Sequence, residues 1–178
     1  MSMEEKELKV TRGCNFLVDE AELEDVFIPE EFDEEQRMVG QLAGDFCEGS
    51  VLPATDDIEA RADGVTIKLL KEAGELGLLS VDLPERFGGF AQTKAVSMLV
   101  AERLALNASF NTAFSAHTGI GTLPIVYFGT EEQKKKYLPR LATGEIIGAY
   151  ALTEAGSGSD ALAARTTAVL NDDGTEYT

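Results

Sequence analysis

The sequence has 178 residues, of which 44% are hydrophobic and 26% charged, which is typical of a globular domain with room for part of a second one. The formal net charge is −17, and residues 1–60 contribute −14 of it through 18 acidic and 4 basic side chains. This acidity argues against binding to nucleic acids or anionic membranes, which require a basic surface. No apolar run approaches the roughly 20 residues of a membrane span, and the acidic start argues against a signal or transit peptide. A cytoplasmic location is therefore expected.

The residues that most often bind metals or carry redox chemistry are scarce. Cys14, Cys47 and the single histidine, His117, have no ligand-like spacing, so no metal cluster is predicted. In a reducing compartment the two cysteines are expected to be ordinary thiols rather than a disulfide. A lone histidine in an apolar helix is more often a core residue than a catalyst, and no catalytic role is assigned to His117.

Residues 1–31 lack helical periodicity and are predicted to form an acidic, extended N-terminal arm. Within this arm, segment 13–18 is an alternative local docking segment because Phe16 and Leu17 need cover. Residues 32–145 are predicted to form an α-helical domain. Its first helix begins at Asp33, which forms a capping box with Gln36, and ends near Gly49 and Pro53. The apolar face of this helix is formed by Val39, Leu42, Ala43 and Phe46.

Three further helices are predicted over residues 57–76, 93–106 and 110–128. The first of these carries an apolar stripe and ends at the C-terminal cap Gly77; the stripe consists of Val65, Leu69, Ala73 and Leu76, widened by Ile67 and Leu70. Helix 110–128 has small and apolar residues all round, which predicts burial on most faces. Gly119, Gly121 and Pro124 are expected to divide or bend it.

A short fifth helix begins at the capping box of Thr130 and Gln133, and Pro139 is expected to limit it. Its three lysines, Lys134, Lys135 and Lys136, are predicted to form a solvated face that suits the helix dipole. Their number on a helix of this length does not indicate a nucleic-acid patch.

Residues 146–178 are predicted to be the start of a β domain that the chain leaves incomplete. The apolar run 146–152 is short enough to be a buried strand. A β-branched strand is predicted over 166–170, followed by a hairpin turn at 171–174 and a return strand at 175–178. Since an independent sheet needs about three strands, the chain is expected to be cut off inside this domain.

The first strand runs into a Gly/Ser-rich loop, residues 154–160, whose backbone amides suit a phosphate or pyrophosphate. The segment 156–161 fits the G-x-G-x-x-G/A pattern, but a strand follows where a dinucleotide-binding unit requires a helix. A P-loop is excluded because no lysine follows Lys136. A structural linker between two domains remains an alternative from composition alone.

The run Ala151–Ala163 resembles the flavin-binding signature of acyl-CoA dehydrogenases. Every constrained position is satisfied, and Ala155 stands where many members have proline. Several further segments have the family's order and spacing, namely 76–78, 84–89, 128–130, 133–139, 142–145 and 165–168. Residues 115–121 and the two serines of the loop are most similar to the very-long-chain branch of the family.

The resemblance implies a mainly α fold in which an N-terminal helical domain leads into a small β domain, with FAD between that domain and a C-terminal four-helix bundle. It implies cofactor contacts at Tyr150, Leu152, Thr153, Gly158 and Ser159. Ser159 would also lie near the acyl-CoA substrate. Parts of the predicted helix 110–128 would line the acyl pocket.

The activity implied is α,β-dehydrogenation of fatty acyl-CoA in β-oxidation, by a homo-oligomer that passes electrons to an electron-transfer flavoprotein. The family's catalytic glutamate lies in its C-terminal domain, so no catalytic residue is assigned, and this fragment alone is expected to be inactive. Glu154 is expected to make structural hydrogen bonds instead. The family's Trp-x-Ser/Thr flavin contact is missing, since the chain has no tryptophan. The alternative is a non-catalytic helical binding module, which would carry no flavin.

Overall fold

The computed structural model describes residues 17, 18, 20, 22 and 26–178, and this part of the chain is mainly helical. Its seven α-helices are α1 (Glu34–Phe46), α2 (Thr55–Glu59), α3 (Val65–Glu75), α4 (Lys94–Leu104), α5 (Ala108–Ser115), α6 (Leu123–Phe128) and α7 (Glu131–Ala142). Two π-helical turns, Cys47–Val51 and Ala116–Ile120, follow α1 and α5. β-structure in the described residues is confined to two isolated bridges. The predicted mainly α fold is confirmed.

The capping box that predicted α1 is present. Asp33 Oδ1 accepts the amide of Gln36 at 2.8 Å, and Gln36 Oε1 accepts the amide of Asp33 at 3.1 Å. The sequence predicted an end near Gly49 and Pro53. In the structure the chain stays helical past Gly49, through the π-helical turn and into a 3₁₀ turn, Leu52–Ala54, that contains Pro53. Pro53 is tolerated there because it occupies the first turn, where its missing N–H costs no hydrogen bond.

The predicted helix 57–76 is two helices, α2 and α3, so the prediction of one continuous helix is wrong. The break lies at Arg61 and Gly64, whose φ angles are 53° and 75°. The amide of Ala62 donates to the carbonyl of Asp57 at 2.9 Å, which closes α2 in the manner of a Schellman motif. Of the predicted stripe, Leu69, Leu70 and Ala73 are buried, whereas Ile67 and Leu76 are exposed.

Gly77 caps α3 as predicted, with a φ of 78°. A Cβ atom at this position would meet only the ring of Phe90, which is exposed and can move aside, so it is the backbone conformation that favours glycine. The connector that follows contains two 3₁₀ turns, Leu78–Ser80 and Glu85–Phe87, before α4 begins.

The predicted helix 110–128 is divided, as its glycines suggested, into α5, the second π-helical turn and α6. The prediction of burial on most faces is wrong. Phe110 and Phe114 of α5 are buried, but Tyr127 is exposed and Phe128 is 87% exposed. The reason is that α6 packs against α7 through one side only, where Ile125 and Val126 are partly buried.

α7 has the predicted capping box, in which Thr130 Oγ1 accepts the amide of Gln133 at 3.2 Å. Pro139 does not limit this helix, which continues to Ala142. Pro139 is exposed, so water can reach the carbonyl that its missing N–H leaves unbonded. Leu138 and Leu141 are buried on the opposite side and hold the last turn in place.

The main core lies between α1, α3, α4 and α5 and includes Phe46, Leu69, Val100 and Phe110. α1 and α4 approach closely, because a Cβ atom on Gly40 would lie 2.8 Å from Cδ2 of Leu99. A smaller cluster joins Phe87 to α7, and Ile146 packs against it. This contact places the start of segment 146–152 on the helical domain.

Segment 146–152 belongs to no helix or strand, so the prediction of a buried strand is wrong. Its residues are exposed or half-buried, and within the described part of the chain no second strand pairs with it. A buried strand needs a neighbouring strand for its backbone groups, whereas the amides of Ile146 and Gly148 bond the Arg140 carbonyl and the His117 ring. The predicted hairpin turn is confirmed, since the amides of Val169 and Thr178 donate to each other's carbonyls at 2.9 and 3.0 Å and the turn contains Gly174 with a φ of 73°. The predicted strands 166–170 and 175–178 are reduced to the single bridge between Leu170 and Tyr177.

Most of the predicted N-terminal arm, including Cys14 and Phe16, lies outside the described residues. Leu17 and Val18 are exposed, so the alternative of local docking gains no support from them. The end of the arm is tied to α1, since Arg37 Nη2 donates to the carbonyl of Glu30 at 2.7 Å and the rings of Phe27 and Phe32 meet edge to face.

Candidate functional site

The Gly/Ser-rich loop is a tight turn organised around Ser157. The amide of Glu154 donates to the carbonyl of Ser157 at 2.9 Å, and the reverse bond measures 3.2 Å. The buried Ser157 side chain donates from Oγ to the carbonyl of Asp160 at 2.7 Å. The shape of the loop is therefore fixed by its own hydrogen bonds. Sequence reasoning did not identify Ser157 as the residue that fixes it.

The Glu154 carboxylate is fully engaged in holding the loop to the following segment. Oε2 accepts the amide of Arg165 at 2.8 Å and Oε1 accepts the amide of Thr166 at 3.0 Å. The amide of Arg165, followed by Thr166, lowers the pKa of Glu154, because a carboxylate that accepts backbone N–H bonds is stabilised in its charged form. The expected structural role of Glu154 is confirmed.

All five residues predicted to contact a cofactor lie on the outer surface of this segment. Tyr150 is 51% exposed and Leu152 is 44% exposed, and Thr153, Gly158 and Ser159 are also exposed. The first three directly precede the loop that carries the other two. The structure thus presents an apolar segment beside a polar turn.

The open side of the loop can accept an anionic group. Of the residues the structure describes, none comes within 4 Å of a Cβ atom built on Gly158, and the φ of Gly158 is not in the left-handed region. Neither packing nor conformation within this part of the chain therefore requires glycine there. The amides of Gly158, Ser159 and Asp160 donate to no described acceptor, and three unpaired amides in one turn suit a phosphate or pyrophosphate.

A cavity of about 270 Å³ lies between α4, α5 and the connector after α3. Its walls are mainly apolar, and the predicted helix 110–128 contributes Phe114, Ser115, Thr118, Gly119 and Leu123. The other walls come from segment 78–82 and from Lys94 to Ala101 of α4. Such a cavity suits a flexible hydrocarbon chain better than a polar ligand.

Two polar features of this cavity were not predicted from the sequence. Ser97 Oγ is buried without a hydrogen-bond partner among the described residues. Lys94 forms an ion pair with Asp82, whose side chain is largely buried. The three residues share no motif, so only the fold reveals that they lie together.

His117 is 1% exposed and bridges two distant parts of the chain. Its Nε2 lies 3.0 Å from the carbonyl oxygen of Leu141, and its Nδ1 accepts the amide of Gly148 at 2.9 Å. Burial lowers the pKa of His117, although the hydrogen bond to the Leu141 carbonyl acts in the opposite direction. Both ring nitrogens are occupied, so the prediction of a core residue is confirmed.

The described residues offer little to other kinds of chemistry. They contain no group of three potential metal ligands, and no helix among them is long and apolar enough to cross a membrane. Cys47 is a buried free thiol. Burial, followed by the neighbouring Glu48, raises the pKa of Cys47, which disfavours the reactive thiolate.

Comparison with known proteins identifies the family. The profile described as "Acyl-CoA dehydrogenase, N-terminal domain" matches residues 33–145. A protein of Bacillus subtilis (strain 168) named "Probable acyl-CoA dehydrogenase" is 51% identical over 175 residues, which cover 98% of this chain and 30% of the relative. A crystal structure of an acyl-CoA dehydrogenase complexed with FAD from Bacillus anthracis matches with a TM-score of 0.88 and 52% identity, over 94% of this chain and 29% of that one.

The chain thus spans about a third of the length of these relatives. The human mitochondrial protein named "Very long-chain specific acyl-CoA dehydrogenase" is 38% identical over 127 residues, or 71% of this chain and 19% of that protein. This similarity is lower and shorter than that to the Bacillus subtilis protein, so the very-long-chain branch stays a prediction. The matched domain, the fold and the extent of identity agree, and the chain belongs to the acyl-CoA dehydrogenase family.

Proposed function

We propose that this chain is the N-terminal part of an FAD-dependent acyl-CoA dehydrogenase that catalyses α,β-dehydrogenation of fatty acyl-CoA in β-oxidation. The observation that carries the proposal is the turn at residues 158–160, whose three backbone amides donate to no acceptor among the described residues. The Bacillus anthracis relative was crystallised with FAD. Bound FAD would supply the oxidising power for the reaction.

The residues present fit this cofactor. Gly158 and Ser159 would offer amides to the pyrophosphate, and the lack of a Cβ atom at Gly158 permits close approach. The exposed side chains of Tyr150 and Leu152 would line the flat isoalloxazine ring, and the Thr153 hydroxyl would bond its polar atoms. The Glu154 carboxylate is turned toward Arg165 and Thr166, so it places no uncompensated negative charge against the phosphates.

The substrate would occupy the cavity between α4 and α5. Its mainly apolar walls would remove an acyl chain from water, and burial of each CH₂ group contributes about 0.8 kcal/mol. Ser159, at the end of the loop, would contact the acyl-CoA. The cavity and the loop would thus bind two ligands that must meet at the reacting carbons.

We assign no catalytic base in the described residues. Glu154 is a weak base, because the amides of Arg165 and Thr166 stabilise its carboxylate and lower its pKa. His117 is unsuitable because both of its ring nitrogens are occupied. A general base needs a free lone pair within reach of the proton that it removes. We therefore propose that the base is supplied outside this segment and that the 178-residue chain alone does not turn over acyl-CoA.

The domain division, 1–31, 32–145 and 146–178, is part of the same proposal. So are an electron-transfer flavoprotein as electron acceptor, a homo-oligomeric assembly and a cytoplasmic location. These four points rest on the family and on the sequence. Purification of the complete protein with measurement of its mass in solution would test the assembly.

A matched pair of glycine substitutions tests the proposed cofactor site. Gly156 and Gly158 lie in the same turn, and a Cβ atom at either meets no described atom within 4 Å. In the protein expressed from the complete reading frame, Gly158→Ala is expected to weaken FAD binding about tenfold, or about 1.4 kcal/mol. Gly156→Ala should leave it unchanged, and without FAD both variants should unfold at the wild-type temperature.

The readouts are the visible flavin absorbance of the purified protein and the titration of stripped protein with FAD. Acyl-CoA-dependent reduction of an electron acceptor completes the test. A wild-type protein that stays colourless after addition of FAD would overturn the enzyme proposal and favour a binding module without a flavin. If both alanine variants weaken FAD binding equally, the proposed contact between Gly158 and FAD is overturned, while the enzyme proposal stands.

A further inference from the structure

The partners of His117 define the proton position on its ring. The carbonyl of Leu141 can only accept, so Nε2 must carry the hydrogen, and the amide of Gly148 can only donate, so Nδ1 must be unprotonated. Only the neutral Nε2–H tautomer satisfies both bonds. The ring is a specific connector between two elements that lie 24 and 31 residues further along the chain.

The position of His117 is itself fixed. It lies in the π-helical turn Ala116–Ile120, and the buried Thr122 hydroxyl donates to the His117 carbonyl at 2.6 Å. π-helical turns inside helices are frequent at functional sites. The same turn contributes Thr118 and Gly119 to the wall of the acyl-sized cavity.

The backbone next to the His117 ring packs closely against the start of segment 146–152. A Cβ atom on Gly121 would lie 2.6 Å from the carbonyl carbon of Gly148, and one on Gly148 would lie 3.1 Å from the carbonyl carbon of Gly121. The two backbones therefore touch, and the amide of Gly148 points at the imidazole. From Ala149 to Thr153 the segment is exposed, so this contact is the last buried attachment before Tyr150.

We propose that His117 is a positioning residue. Through its hydrogen bond to Gly148, it sets the position of residues 150–153 relative to the cavity between α4 and α5. The inference rests on the proposed function, in which residues 150–153 contact the flavin and the cavity holds the acyl chain. One turn of backbone would then carry a wall of the substrate cavity on one side and the attachment of the flavin segment on the other. The distance between the two ligands would be determined by this turn.

Two substitutions separate positioning from mere stability. His117→Asn places an amide oxygen near the position of Nδ1 and retains an acceptor for Gly148, whereas His117→Gln places an amide nitrogen near Nε2 and retains a donor for Leu141. Each variant loses one buried hydrogen bond and leaves one polar group unpaired, so both should lower the unfolding temperature to a similar extent.

Their effects on residues 148–153 should differ. Backbone amide exchange over residues 148–153 is expected to accelerate about tenfold in His117→Gln and less than threefold in His117→Asn, in protein without FAD. FAD affinity of the complete protein should fall in the same proportions. Equal exchange rates in the two variants would overturn the inference, because a merely structural histidine would loosen the segment equally in both.

The two proposals fail separately. Wild-type protein that binds no FAD contradicts the proposed function, while the exchange contrast without FAD still decides the positioning role. If neither variant folds, ¹⁵N NMR of the wild-type protein tests the positioning role through the tautomer of His117. As the chain has one histidine, the assignment of its ring resonances is unambiguous. The Nε2–H tautomer at neutral pH supports the inference, and the Nδ1–H tautomer overturns it.

Discussion

Gly74 of α3 packs directly against Thr143, the residue that follows the last residue of α7. A Cβ atom on Gly74 would lie 2.6 Å from the carbonyl carbon of Thr143, closer than real side chains approach a backbone. This contact joins the main core to the helix that precedes segment 146–152. It allows a first prediction, because rigid backbone cannot move aside as a flexible side chain would.

Gly74→Ala is expected to lower the free energy of unfolding by about 1–3 kcal/mol, the usual cost of overpacking a fixed site. Gly49→Ala is the matched control. Gly49 lies in the π-helical turn after α1, and a Cβ atom there meets no described atom within 4 Å. Alanine should therefore be neutral or stabilise by up to about 1 kcal/mol. Urea denaturation of both variants measures the difference, and similar stabilities would contradict the predicted clash.

The unpartnered hydroxyl of Ser97 gives a second prediction. Ser97→Ala should raise the free energy of unfolding by about 1 kcal/mol, since it removes a buried polar group that has no hydrogen bond among the described residues. Ser80→Ala is the counterpart. Ser80 is also buried, but its Oγ donates to the carbonyl of Gly77 at 3.1 Å, so its loss should destabilise. Thermal unfolding of the two variants should give shifts of opposite sign, and a fall in both would show that Ser97 has a partner in solution.

Glu154→Gln should loosen the loop, because a neutral amide offers one acceptor where Arg165 and Thr166 need two. Exchange of these two amides is the measurement, and Glu59→Gln, an exposed substitution in α2, is the control. The lowered pKa of Glu154 fixes the sign of the pH effect. The two hydrogen bonds to the Glu154 carboxylate contribute fully to stability above the unfolded pKa of about 4.3. Protection of the Arg165 and Thr166 amides from exchange should fall as the pH drops through the lower folded pKa. Protection that stays constant on acidification would contradict this assignment.

His117 gives the fourth prediction. Its pKa is lowered by burial, so between the folded and unfolded values the unfolded chain binds the proton more readily. Its contribution to stability is complete above the unfolded pKa of about 6.5 and is lost as the pH falls below it.

The measurement is the difference in unfolding free energy between wild type and His117→Gln from pH 8 to pH 5. This difference should shrink on acidification, since the variant has no imidazole to protonate. The titratable side chains on the ends of the elements that contact His117 are Arg140, Glu145 and Tyr150. All three are largely solvent-accessible, and Arg140 and Glu145 form an exposed ion pair. A pH-independent difference would show that folding does not lower the pKa of His117.

Local signals in the sequence predicted local structure well. The capping boxes at Asp33 and Thr130 and the glycine cap at Gly77 depend on residues within four positions of each other, and all three are present. The break between α2 and α3 escaped prediction because it uses Arg61 in a left-handed conformation that arginine rarely adopts. The prediction that Pro139 limits its helix failed because the effect of an internal proline depends on whether the unbonded carbonyl can reach water.

In the candidate site, too, features formed by neighbouring residues could be predicted from the sequence, and features formed by distant residues could not. The loop 154–160 could be found because its chemistry lies in one continuous stretch of sequence. The cavity could be anticipated only in part, since its lining comes from three segments that the fold brings together. The partners of His117 are backbone groups 24 and 31 residues away, and no side-chain pattern records which backbone groups a ring will meet.

The segment after Gly148 has a consequence for the behaviour of the chain in solution. From Ala149 to Thr153 its backbone has no strand partner among the described residues, and its apolar side chains are exposed. Backbone that is unpaired and carries exposed apolar side chains can pair with a strand of another molecule. Concentrated preparations should therefore tend to polymerise through this segment, against the repulsion of a net charge of −17, and added salt should favour the polymers by screening that charge.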